Sequence, residues 1–324
     1  MNTFSIAGIQ MKVHAAYPNF EAMKFKLDVL MSIYPWVEMV MFSELSPFGP
    51  LTHHAQEFPN ETEQAFQEMA KKHRIWLIPG SMFEKRNNKI YNTATVINPE
   101  GKIVKRYSKM FPFLPYEEGV SGGDQFCVFD IPNVGRFGLL ICYDMWFPET
   151  SRQLAAMGAE VILHPTLTGT IDRDVELSIV RATSAINQCY VFDVNGLETG
   201  GTGKSLICGP DGGIIYQAEQ VEEMIPIEID LDRVKRSREN GILRLGQPLK
   251  SFREKASTFP VYQKGADLSY LHSLGPIKKP TRIKEIQESL ENEVPPPPQS
   301  TWYKFKNKFK GNNNLENNIN PKNQ

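Results

Sequence analysis

No stretch of the chain approaches the ~20 consecutive apolar residues of a membrane-crossing helix, so a bilayer-spanning protein is not expected. Charge of neither sign prevails. The 36 Lys and Arg residues face 37 Asp and Glu, for a formal net charge of −1. That balance removes any global pull toward nucleic acid or strongly acidic partners. Cysteine is scarce: the four copies, Cys127, Cys142, Cys189 and Cys208, form no Cys-x-x-Cys pair and lack the nearby His partners of a zinc site. The opening segment, Met1 to Gln10, has neither a positive n-region nor a cleavage pattern. It reads as a first strand rather than a secretory signal. The expectation is therefore a cytoplasmic protein with reduced thiols, three of them small core residues. Gly200-Gly-Thr-Gly-Lys-Ser205 lacks the spacing of a phosphate-binding Walker loop and reads as a hairpin entry or pocket rim.

What remains is a soluble α/β pattern long enough to bury a sizeable core. Phe4 to Met11, Met39 to Phe42 and Ile75 to Met82 read as strands, the last ended by Pro79-Gly80. Helices are expected over Pro18 to Tyr34, with Phe20, Met23, Leu27, Leu30 and Met31 at helical spacing, and over Glu61 to His73. Tyr91 to Ile97 and Lys102 to Tyr107 form a hairpin about Asn98-Pro-Glu-Gly101. Beyond it come strands from Cys127, Phe137, Val161, Tyr190, Ser205, Ile214 and Glu223, with helices over Glu149 to Met157 and Asp174 to Asn187. Two strand-rich halves with interleaved helices imply two sheets packed together, helices outside. Past residue 255 regular patterning fades, which divides the chain into 1–255, an extension over 256–292 and a tail over 293–324. The tail opens on the stiff Glu293-Val-Pro-Pro-Pro-Pro-Gln299 spacer. It ends in an Asn- and Lys-rich stretch of disordered composition, where Trp302, Phe305 and Phe309 would share one face if the segment became helical.

Chemistry concentrates at Cys142. The apolar run Phe137 to Ile141 delivers its thiol to a sharp turn through Asp144 and Pro148. A nucleophile needs that placement: rigidly held, exposed at a turn, and near backbone N–H groups that can stabilise an oxyanion. A free thiol is mostly protonated at neutral pH and needs a base or a cation. Glu44, at the end of the buried Met39 to Phe42 strand, is the candidate base. Lys109 is the candidate electrostatic group, set in the aromatic and Pro-rich Tyr107 to Glu117 loop. The adjacent Glu117 and Glu118 compete for the role of second carboxylate. Tyr116, Tyr143, Trp146, His164 and Thr166 lie on segments that can line a pocket. His164 also offers a rival base in a protease-like dyad, disfavoured because no protease-type sequence flanks the cysteine. Arg181 reads as structural, paired with Glu149 or Glu176, and Asn187 and Asn195 as partners of backbone groups.

Taken in order, Ala7-Gly-Ile-Gln10, the Glu44 segment, Lys109 to Glu117, and Ile141-Cys-Tyr-Asp144 with Phe147-Pro-Glu149 resemble the nitrilase superfamily of carbon–nitrogen hydrolases. Arg181-Ala182 with Asn187 and Tyr190, then Asn195, then Gly209-Pro-Asp-Gly212 extend the likeness to about residue 250. Lys109-Met-Phe-Pro-Phe-Leu-Pro-Tyr-Glu117 followed by Gly122-Gly123 is similar to the aliphatic amidase and formamidase branch, and the eight-residue offset favours Glu117 over Glu118. Two features depart: Ser43 stands where the family usually has Pro, and a Pro-rich tail replaces a longer C-terminal extension. The resemblance implies a four-layer α-β-β-α sandwich, protomers paired as a homodimer or larger assembly, and neither cofactor nor metal. It implies catalysis by Glu44, Lys109, Glu117 and Cys142, with hydrolysis of a small non-peptide amide through a cysteine thioester. A nitrile or an N-carbamoyl compound would use the same residues. A non-catalytic binding protein on the same fold is the reading from another class.

Overall fold

The opening strand, Thr3–Gln10, lies antiparallel to Glu223–Asp230 on one side and parallel to Met39–Phe42 on the other. In the computed structural model, which describes residues 2–199, 201–255 and 258–279, this sheet continues through Trp76–Ile78 and Lys89–Ile97. The latter strand pairs with both Ser81–Arg86 and Ile103–Ser108. The two-residue period of a strand sorts its side chains. Ile9, Val40, Phe42 and Leu77 face Met23, Leu27 and Leu30 of helix Phe20–Ile33 and Phe66 and Met69 of helix Glu61–His73. Phe4, Ile6, Met39, Met41 and Ile78 turn the other way, into a core shared with a second sheet.

That second sheet runs Ile214–Gln217, Leu206–Cys208, Tyr190–Asn195, Val161–Thr166, Gly135–Leu139, Cys127–Ile131. Phe137 meets Phe4 edge-on across the interface, ring centroids 5.6 Å apart. Gly138, the next residue, instead lies against Leu154 of helix Pro148–Ala156. Leu177 and Val180 of helix Arg173–Asn187 join the same packing. The sheets come so close that a Cβ on Gly8 would sit 2.7 Å from Val194 Cγ2. Layering is therefore helix, sheet, sheet, helix, as the sequence predicts.

Local signals explain the element bounds. Helix Glu61–His73 starts where the Asn60 side chain accepts the Glu63 N–H at 2.8 Å and stops at a left-handed Arg74; acids fill its first turn and bases its last. The single strand expected over Ile75 to Met82 is two. Pro79 and Gly80 break it, Gly80 taking a φ of +77°, so Trp76–Ile78 pairs with Met39–Phe42 while Ser81–Arg86 pairs with Lys89–Ile97. Cys127, Cys189 and Cys208 are buried free thiols. Residues up to Gly275 form one compact unit. The Pro-rich spacer and the Trp302, Phe305 and Phe309 segment lie outside the described residues. Among the described residues no helix is long and apolar enough to cross a membrane.

Candidate active site

Strand ends from both sheets converge. Met39–Phe42 delivers Glu44, whose N–H donates to the Thr166 carbonyl at the end of Val161–Thr166, 3.2 Å away, so the two sheets are tied at this point. Gly80 packs so tightly beneath that a Cβ there would fall 1.9 Å from the Ser43 carbonyl oxygen. Ile103–Ser108 delivers Lys109, whose backbone N–H bonds the Asn92 carbonyl at 2.8 Å. Its ammonium donates to Glu44 Oε1 at 2.9 Å and to Glu117 Oε2 at 2.8 Å. Lys109 and Glu44 are almost wholly buried, at 1% and 3% exposure, a burial that needs both the ion pair and further hydrogen bonds to compensate it. Glu117 also accepts the Phe113 N–H at 2.5 Å. Glu118 is exposed, so the second carboxylate is Glu117.

Cys142 follows Gly135–Leu139 and has φ of +46°, a region that residues with a side chain occupy only when their surroundings impose it. Its thiol lies 3.8 Å from Thr168 Oγ1. Burial, and then the nearby Glu44 charge, push the thiol well above its ordinary range, against the pull of Lys109. Burial likewise raises Glu44; Lys109 and the Cys142 thiol partly oppose that rise, while Glu117 adds to it. For Lys109 the carboxylates overcome burial and hold the ammonium charged well above its ordinary value. The resting state that follows is a neutral thiol beside a carboxylate and a permanent cation.

Asn92 and Asp144 complete the frame. Asn92 Nδ2 donates to Glu44 Oε1 at 2.8 Å. Asp144, fully buried, accepts the Tyr107 hydroxyl at 2.7 Å and the Met110, Phe111 and Ile141 N–H groups at 3.0, 2.8 and 3.0 Å. It thus clamps the Lys109 loop to the Cys142 turn. Asp144→Ala leaves those donors stranded, each at about 1–3 kcal/mol. Urea denaturation is expected to show a loss of about 3 kcal/mol or more, with activity falling alongside; an unchanged midpoint would remove the clamp from this account.

A cavity of about 220 Å³ opens at Cys142, lined by Phe113, Tyr116, Tyr143, Trp146, Leu167 and Thr168 among others. Tyr116, Tyr143 and Trp146 therefore stand where the sequence predicts. His164 and Thr166 do not line it; both are fully buried. His164 bonds Asp193 and the Cys142 carbonyl rather than the thiol, which removes it as a rival base. Thr166 bonds Thr168 and Glu176. Arg181 pairs with neither Glu149 nor Glu176. Its Nε donates to the Gly212 carbonyl, whereas Glu149 takes Tyr262 and Glu176 takes Arg173. Asn195 binds four backbone groups, of Thr168, Gly196 and Gly203, and Asn187 the Thr183 carbonyl, as expected. Among the described residues no group of three or more His, Cys, Asp or Glu side chains is arranged to hold a metal ion.

This geometry can be set beside known proteins. The family model described as carbon–nitrogen hydrolase matches residues 10–239. The human omega-amidase NIT2 is 29% identical over 229 residues, covering 65% of this chain and 80% of that protein. Among solved structures, the Caenorhabditis elegans NitFhit protein superposes with a TM-score of 0.68 at 26% identity, covering 79% of this chain and 66% of that one. Saccharomyces cerevisiae Nit3, a member of branch 10 of the nitrilase superfamily, superposes at 0.67 and 24% identity, covering 74% and 94%.

Proposed function

The chain belongs to the carbon–nitrogen hydrolase family, hydrolases of carbon–nitrogen bonds other than peptide bonds, and on that premise we propose that it is an amidase that cleaves a small amide through a cysteine thioester. One observation carries this reading: the Glu44–Lys109–Glu117 ion group, two of its members buried, adjoins Cys142, which lines a cavity of about 220 Å³, room for a substrate of few heavy atoms.

Glu44 takes the thiol proton as Cys142 Sγ attacks the amide carbon. Lys109 spends two of its three N–H bonds on carboxylates, and the third, with the Tyr143 backbone N–H, meets the oxyanion. The tetrahedral intermediate collapses as Glu44 returns the proton to the departing nitrogen, which leaves as ammonia or an amine. Glu44 then deprotonates a water that attacks the thioester, and a second collapse releases the carboxylic acid and restores the thiol. Glu117 holds Lys109 and the Phe113 turn in place. The test is ammonia release over formamide, short aliphatic amides, N-carbamoyl compounds and nitriles. Turnover of the amides supports the reading, exclusive turnover of nitriles or carbamoyl compounds replaces it with a sister activity, and none at all favours a binding protein.

The pH dependence has a definite sign. Glu44 must be ionised to act, and its carboxyl titrates above the ordinary value of 4.5. The acid limb of kcat/KM is therefore expected above that value, with activity lost as pH falls through it. Because the Glu117 charge helps to raise Glu44, Glu117→Gln should move the limb to lower pH. A limb that stays put, or moves up, contradicts the assignment of Glu44 as base.

A further inference from the structure

The reaction scheme leaves a buried histidine unused, directly behind Cys142. Both ring nitrogens of His164 are engaged, Nδ1 with Asp193 Oδ1 at 2.7 Å and Nε2 with the Cys142 carbonyl oxygen at 2.8 Å. Neither partner has a proton to offer. A backbone carbonyl only accepts. Asp193 is held as a carboxylate, its other oxygen taking the Arg173 guanidinium at 2.5 Å; Arg173 and His164 together outweigh its burial and keep it below its ordinary range. A neutral imidazole carries one N–H and would satisfy only one of two acceptors.

We propose that His164 is a standing imidazolium whose Nε2–H holds the Cys142 carbonyl and thereby aims the thiol, which makes it a positioning residue and not a base. This rests on the reading of Cys142 as nucleophile. Charge balance supports it. Arg173 also binds Glu176 at 2.6 Å, so the fully or nearly buried set Arg173, His164, Asp193 and Glu176 closes as two cations against two anions. A neutral His164 would leave a surplus negative charge in the core, which proteins avoid. The groups facing the ring are Asp193 on Tyr190–Asn195, Arg173 and Glu176 on helix Arg173–Asn187, and Cys142 on its turn. Burial alone would discharge the imidazole; the Asp193 bond and charge, then Glu176 and the Cys142 carbonyl, raise it above its usual value. The left-handed φ of Cys142, +46°, needs such an anchor, since a backbone conformation of this kind persists only where its surroundings dictate it.

Two measurements decide the matter. Nitrogen NMR of histidine-labelled protein at about pH 8, well above the ordinary histidine value, should show both His164 nitrogens protonated, the signals assigned by their loss in His164→Gln. A single protonated nitrogen there overturns the charge assignment, whatever the substrate. The second compares His164→Asn, whose amide keeps the Asp193 bond but falls short of the Cys142 carbonyl, with His164→Gln, whose amide reaches it. Misaiming a nucleophile by an ångström costs about a hundredfold. His164→Asn should therefore lose about that much in kcat with KM held within about twofold, and His164→Gln should recover most of it. Iodoacetamide labelling of Cys142 should follow the same order and needs no amide substrate, so it separates failure of this proposal from failure of the amidase reading. Equal losses in the two variants, or a loss borne by KM, would overturn the positioning role.

Discussion

Cys142→Ala is expected to cut ammonia release by about 10⁴-fold or more, the scale seen when a covalent nucleophile is removed, while the protein unfolds at a nearly unchanged urea concentration. The two halves of that result have separate causes. Catalysis collapses because no other free thiol is available: Cys127, Cys189 and Cys208 are buried, and burial pushes each up to about 12. Stability is expected to survive because the thiol's contact with Thr168 Oγ1 is long, at 3.8 Å, and Ala meets the same strain at the left-handed φ that Cys does. Residual turnover within about tenfold of the parent would exclude the thioester route, for no triad with its nucleophile deleted works at that level.

Cys142 is legible in the sequence as the candidate nucleophile because its signal is local: an apolar strand, a cysteine, a sharp turn. Glu44 is legible at the end of a buried strand, and Lys109 from the aromatic and Pro-rich loop that presents it. Bounds came out well where chemistry punctuates the chain, as at Asn60 before helix Glu61–His73, and poorly at Pro79-Gly80, where a short apolar run hid two strands, both paired with Lys89–Ile97 but only the first with Met39–Phe42. The frame around the site was not legible. Asn92 reaches Glu44 across 48 positions, and Asp144 reaches Tyr107 across 37. A polar residue inside an alternating strand, or an acid at a turn, carries no local mark of such a partner. His164 failed in the same way. Its place at a strand end suggested a pocket wall, and only the fold shows that Asp193 and the Cys142 carbonyl occupy both its nitrogens.

Lys109→Met tests the electrostatic half of the site and should be costly twice over. Removing the ammonium leaves Glu44 and Glu117 facing each other without a counter-ion. Breaking one partner out of a buried pair costs about 3–5 kcal/mol, and losing one oxyanion donor costs about 10²–10³ in kcat. The stability loss has a pH signature. Without Lys109, the strongest influence opposing burial at Glu44 is gone, so the folded carboxyl titrates still further above its unfolded value. A group shifted that way contributes stability that is complete below the unfolded value and lost as pH rises through the folded one. The variant should therefore lie close to the parent in urea midpoint at mildly acid pH and fall well below it at neutral pH. The same shift moves the ionisation that Glu44 needs as a base to higher pH, so the acid limb of the variant's remaining activity should lie above the parent's. A Lys109→Met protein whose midpoint and turnover match the parent at neutral pH would mean that the ammonium neither holds the two carboxylates nor meets developing charge, and the proposed reaction would have lost its electrostatic basis.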